Sequence, residues 1–200
     1  MKKISSLLKL TLCLMIVFGI QSNADGAVAI ATVGPNTSGP NSSFTGGCNG
    51  TFQLQTNNAF IRSKVGFGFN PNVSVQFTPM VGNCANFVLN PDGVWHLFLG
   101  DPNGQPSQFQ VTDNGTGNIL LAGRFRRAIL HGRSGSDSLA ITLVQDNVRY
   151  SPASLWFPAG GFPRNNGSFA IAILSQNPVV ADQEGPGGFG ANSDINFGRQ

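Results

Sequence analysis

The sequence predicts an all-β protein, an antiparallel two-sheet sandwich of jelly-roll or Ig-like type with one disulfide. Three observations carry that expectation. Apolar and polar residues alternate with period two in short runs between residues 51 and 181. Clusters of Asn, Asp, Gly and Pro separate the runs, at intervals of about 10 to 12 residues through 90–115. No segment of helical length shows a 3.6-residue period.

Residues 1–24 read as a signal peptide. Met1-Lys2-Lys3 and Lys9 precede the apolar run Leu10 to Ile20, and the small residues Ser22 and Ala24 form the exit. That run of about 11 residues falls short of the roughly 20 that a spanning helix needs. Cleavage is expected after Ala24, sending a chain with no membrane span to the periplasm, the cell surface or the exterior. The short Lys-Lys start is of the bacterial kind.

Residues 25–50 are expected to form an N-terminal strand and a flexible polar loop. The strand centres on Val28, Ile30 and Val33, and the loop begins at Gly34-Pro35-Asn36. Residues 51–181 are the sandwich domain. Phe52 and Leu54 alternate with Gln53 and Gln55, and Val65, Phe67 and Phe69 share one face. Val73, Val75 and Phe77 alternate with Ser74, Gln76 and Thr78, and Phe109 and Val111 with Gln108, Gln110 and Thr112. Leu139, Ile141 and Leu143 form one face, and Phe169, Ile171 and Ile173 another. Strands with one apolar face are buried by packing two sheets or by closing one sheet on itself; two sheets are the expectation. Residues 182–200, rich in glycine from Gly185 onward, are expected to be a loosely docked tail.

The charge balance argues against nucleic acid as a partner. Three of the 12 Lys and Arg lie before residue 25, and none of the 9 Asp and Glu does, so the exported chain is formally neutral. Removal of the signal also removes Cys13. Cys48 and Cys84 remain as an even pair in an oxidising compartment and are expected to form a disulfide. Six Asn-x-Ser/Thr sequons occur, at Asn36, Asn41, Asn49, Asn72, Asn114 and Asn166. They are little more than this composition produces by chance.

Catalytic groups are sparse, and the expectation is a protein that is not an enzyme and takes no cofactor or metal. His96 and His131 are the two histidines. A shared metal site with Asp101 or Asp137 would require ligands that no spacing motif provides. Gly132-Arg133-Ser134-Gly135-Ser136 is not a nucleophile elbow. Most acids, such as Asp92, Asp101, Asp113 and Asp146, fall in turns, where they serve local hydrogen bonds.

Two surface clusters are candidates for ligand or partner contact. One is the basic group around Arg124 and Arg126, which are expected to share a strand face. The other is the aromatic, Pro- and Gly-rich stretch from Arg149 and Tyr150 through Trp156 and Phe157 to Arg164. The leading functional expectation is a non-catalytic, self-assembling surface protein, with Val28, Ile30 and Val33 pairing to a neighbouring subunit's sheet edge. Placement of the one disulfide early in the mature chain resembles chaperone–usher pilins, which assemble by such strand exchange. The chain departs from them at its end, Asn196-Phe197-Gly198-Arg199-Gln200. The alternatives are a secreted module binding carbohydrate or another surface ligand, and a secreted hydrolase.

Overall fold

The computed structural model describes residues 28–35, 39–64, 72–101, 103–143, 148–151, 154–155 and 167–199. The signal segment and the run at Val65, Phe67 and Phe69 lie outside them.

The alternating runs become strands that line up as eight long staves. The first is β1 (Val28–Pro35) followed by β2 (Ser42–Phe44), and the second is β3 (Thr51–Lys64). The third joins β4 (Val73–Phe77) to β5 (Met80–Leu89), and the fourth joins β6 (Val94–Gly100) to β7 (Ser107–Asp113). The fifth joins β8 (Ile119–Phe125) to β9 (Arg127–Arg133), and the sixth joins β10 (Ser136–Leu143) to β11 (Arg149–Tyr150). The seventh is β12 (Gly167–Val179). A small hairpin, β13 (Ala181–Asp182) with β14 (Gly185–Pro186), leads to the eighth, β15 (Phe189–Arg199).

Each stave pairs antiparallel with the next. β1 and β2 pair with β3, and β3 with β4 and β5. β4 and β5 pair with β7 and β6, which pair in turn with β8 and β9. β9 and β8 pair with β10 and β11, and β10 pairs with β12. A bridge from Val148 to Gly167 completes the sixth seam. β12 pairs with β15, and β15 returns to β1 and β2. The circuit is therefore closed, as an up-and-down antiparallel barrel.

The all-β antiparallel fold and the disulfide match expectation. In place of two separate sheets, 13 strands are joined in one. Closing one sheet buries a single apolar face per strand as effectively as stacking two, and it leaves no long free edge.

Two staves bend where the period-two pattern slips by one residue. Phe77 and Met80 both face inward across Thr78-Pro79, and Phe125 and Ala128 both face inward across Arg126-Arg127. Pro79 has no N–H to lose at such a break. The slip leaves Arg126 and Arg127 both exposed.

The interior is filled by side chains, as suits a barrel of this strand number. Phe125 packs edge-on to Phe169 at 4.8 Å between ring centres, and Phe109 stacks on Phe197 at 5.1 Å. Phe77 touches three of these rings, and Trp95, Leu97, Met80 and Leu130 fill the other half. Each such side chain contributes about 1.5–3 kcal/mol on burial. Outward positions on β3, β4 and β7 are Gln53, Gln55, Gln76, Gln108 and Gln110, all exposed. Lipid-facing strands carry apolar residues there. Among the described residues no helix is long and apolar enough to cross a membrane.

Three expectations about the chain's ends are corrected. Val28, Ile30 and Val33 lie in a strand that pairs within its own chain, with β15 from Val28 and with β3 from Ala31: Val28 is opposite Arg199, and Val33 is opposite both Ile195 and Ile61. Residues 182–200 hold a stave, because Ala191, Ser193, Ile195 and Phe197 face inward in alternation. The loop before residue 50 contains β2, seated by Asn41. The Asn41 amide donates to the Ser193 carbonyl at 3.0 Å and accepts from the Ser193 N–H at 2.7 Å, as a strand backbone would.

The disulfide joins Cys48, in the turn before β3, to Cys84, in an irregular part of β5. It fastens a weak seam. β3 and β5 share two register pairs, Thr51 with Val81 and Phe52 with Met80. Cys48 is also held by its N–H, which donates to the Glu184 carbonyl at 2.7 Å.

Candidate functional site

The outer face of β4, β7, β8 and β11 carries an open concavity of about 760 Å³. Its floor is low because Ala122, on β8, is small. Around it stand longer chains placed by the register. Gln76 is opposite Gln110, which is opposite Ala122. In the next row Gln108 is opposite Arg124, which is opposite Arg149. Thr78 and Ser151 complete the rim. Ser151 is held beside the floor by its N–H, which donates to the Ala122 carbonyl at 2.8 Å.

The electrostatics are uneven. Arg124 and Arg149 are both exposed and directly opposed on neighbouring strands. Like charges in that position repel. Neither guanidinium has a hydrogen-bond or ion-pair partner among the described residues. By contrast, Arg133 is satisfied, donating from Nε and Nη2 to the Asp92 carbonyl at 3.2 and 3.1 Å.

Of the residues singled out in the sequence, the fold brings Arg124 and Arg149 together. Tyr150 lies beneath them with its ring in the core. Its hydroxyl donates to the Gly198 carbonyl at 2.8 Å and lies 3.2 Å from the Ser168 carbonyl. Burial raises its pKa above the ordinary value, and the bond to Gly198 offsets this only in part. Arg126 sits at the bend between β8 and β9, outside the concavity. Trp156, Phe157 and Arg164 lie outside the described residues. Gln76, Gln108 and Gln110 complete the site. Their outward alternation was visible in the sequence, but nothing marked them as a group until strand register placed them side by side.

Two further polar features lie elsewhere. His96 and His131 are opposed on β6 and β9, with ring centres 6.0 Å apart. The pKa of His131 is lowered to about 4, first by burial and second by His96. Neither imidazole bonds to an Asp or Ser among the described residues, so a Ser-His-Asp arrangement has no counterpart there. Asp101 is occupied in its own turn, with Oδ1 accepting from the N–H of Asn103 at 2.7 Å. Among the described residues no group of three or more His, Cys, Asp or Glu is placed to hold a metal ion.

Comparison with known protein families, curated proteins and solved structures finds no match to this chain.

Proposed function

We propose that this is an exported, non-catalytic binding module for an acidic polysaccharide, taken up on the outer face of β4, β7, β8 and β11. One observation carries the reading: two opposed arginines without partners among the described residues, beside a shallow floor ringed by glutamines. An arginine fork matches a pair of oxygens on a carboxylate or sulfate. Glutamine amides both donate and accept, which suits sugar hydroxyls. An anion seated between Arg124 and Arg149 would also remove their mutual repulsion.

Self-assembly by strand exchange is the weaker reading, because β1 pairs with both β15 and β3 of its own chain. A hydrolase reading finds no support in the surroundings of either histidine.

The test is retention of the exported chain, residues 25–200, on immobilised polyuronate, with neutral dextran as the control. Retention is expected on the acidic polymer alone, weakening with salt. Arg124→Gln and Arg149→Gln are expected to weaken it without lowering Tm. Equal retention of wild type on both polymers, no retention on either, or unchanged retention of the double variant would overturn the proposal.

A further inference from the structure

The opposed histidines on the other half of the barrel form a second cluster with ligand chemistry. They alternate outward with core residues on either side: Trp95 and Leu97 flank His96, and Leu130 flanks His131, all fully buried. The row continues from His96 to Val88 on β5, and from His131 to Ala140 on β10. Neither of these two neighbours offers the imidazoles a side-chain hydrogen bond. His131 Nε2 is buried and has no hydrogen-bond partner among the described residues. A buried polar nitrogen left in that state is unfavourable, because it has given up water and gained no partner. A ligand that accepts its lone pair recovers this cost.

We propose that His96 and His131 together bind one divalent transition-metal ion, with Cu²⁺ preferred over Zn²⁺. Imidazole nitrogen coordinates such ions at about 2.0–2.1 Å, so two rings bracket a single ion at centre separations up to roughly 6.4 Å. The observed ring-centre separation of 6.0 Å lies inside that limit. The pair sits on adjacent strands of a closed sheet, which fixes its spacing. With two neutral protein ligands and no carboxylate, water fills the other positions, and affinity follows the general order that places Cu²⁺ above Zn²⁺. The site is separate from the Arg124 and Arg149 concavity, and its success or failure does not depend on polysaccharide binding.

The test is titration of the exported chain with CuSO₄ and with ZnCl₂, followed by calorimetry and, for Cu²⁺, by electron paramagnetic resonance. One equivalent is expected, with nitrogen hyperfine structure from two imidazoles and tighter binding of Cu²⁺. Trp95 lies next to His96, so Cu²⁺ is also expected to quench its fluorescence in a Trp156→Phe background. His96→Asn and His131→Asn are each expected to abolish saturable binding while leaving the far-ultraviolet circular dichroism unchanged. Saturable binding that survives either substitution, a single-nitrogen spectrum, or no binding by the folded wild type would overturn the proposal. If His131→Asn fails to fold, His96→Asn alone decides between a shared site and a lone histidine.

Discussion

Tyr150 is the one tyrosine of the chain, which makes it a clean probe of how the barrel closes. Its hydroxyl bonds to Gly198 on β15 and lies close to Ser168 on β12, so the side chain pins the sixth stave to the seventh and eighth. A methyl at Gly167 would overlap the ring, so the glycine is what lets the ring sit there. Tyr150→Phe removes the hydroxyl and leaves carbonyls short of a donor. At about 1–3 kcal/mol for such a loss, the central expectation is about 2 kcal/mol, or roughly 4–8 °C in Tm for a domain of this size. The pH dependence has a definite sign. Burial raises the folded-state pKa above the unfolded value of about 10, so the folded state holds its proton where the unfolded chain has lost it. This contribution is fully present below about pH 10 and is lost as pH rises above it. Tyrosinate absorbance and far-ultraviolet circular dichroism, followed together through an alkaline titration, should change in one step above pH 10. Reversible tyrosinate formation at about pH 10 with the sheet signal intact would refute the reasoning, as would a Phe variant with wild-type Tm.

Two other outcomes follow from the pairing scheme. Replacing Cys48 and Cys84 by serine should cost about 4 kcal/mol by the chain-entropy estimate and should raise amide exchange first around Met80 and Val81, beside the weak β3–β5 seam; uniform exchange would argue against a local seam. A chain starting at Ser42 loses β1 and with it the buried Ile30 and Val33, worth about 1.5–3 kcal/mol each before hydrogen bonds. Size exclusion should show a monomer for residues 25–200 and aggregation for the shortened chain; a cooperative monomer from both would show that β1 is dispensable.

Much of the fold was legible because period-two alternation is carried by residue type along the chain itself. The Gln-bearing strands and the pairing of Cys48 with Cys84 needed only residue type and spacing. What was not legible depends on register. β11 is two residues long, and Arg149 meets Arg124 only because β8 and β11 pair there. His96 and His131 lie far apart in sequence and become neighbours through β6 and β9. The C-terminal stave was hidden by its glycines. Gly188 lies close to the carbonyls of Phe44 and Thr45, and Gly185 adopts φ of +122° against the backbone at Cys48. Glycine there permits close backbone approach, which composition alone reads as looseness.

Closure of the sheet decides which kinds of interaction this molecule can offer. An open sandwich has edge strands that recruit other strands, whereas this barrel joins its first stave to its eighth along β1 and β15. Backbone pairing is therefore spent internally, and recognition falls to side chains on the outer faces. Those faces differ. The half built on β4, β7, β8 and β11 shows glutamines and two opposed arginines, whereas the half on β6 and β9 shows two opposed imidazoles between Val88 and Ala140. The bends at Thr78-Pro79 and Arg126-Arg127 divide the staves into these halves, so each half can change its outward residues while the shared interior keeps one continuous core. On this reasoning, substitutions at Arg124 or Arg149 should leave metal binding intact, and substitutions at His96 should leave polysaccharide binding intact. Coupling between the two would mean that the halves do not act independently.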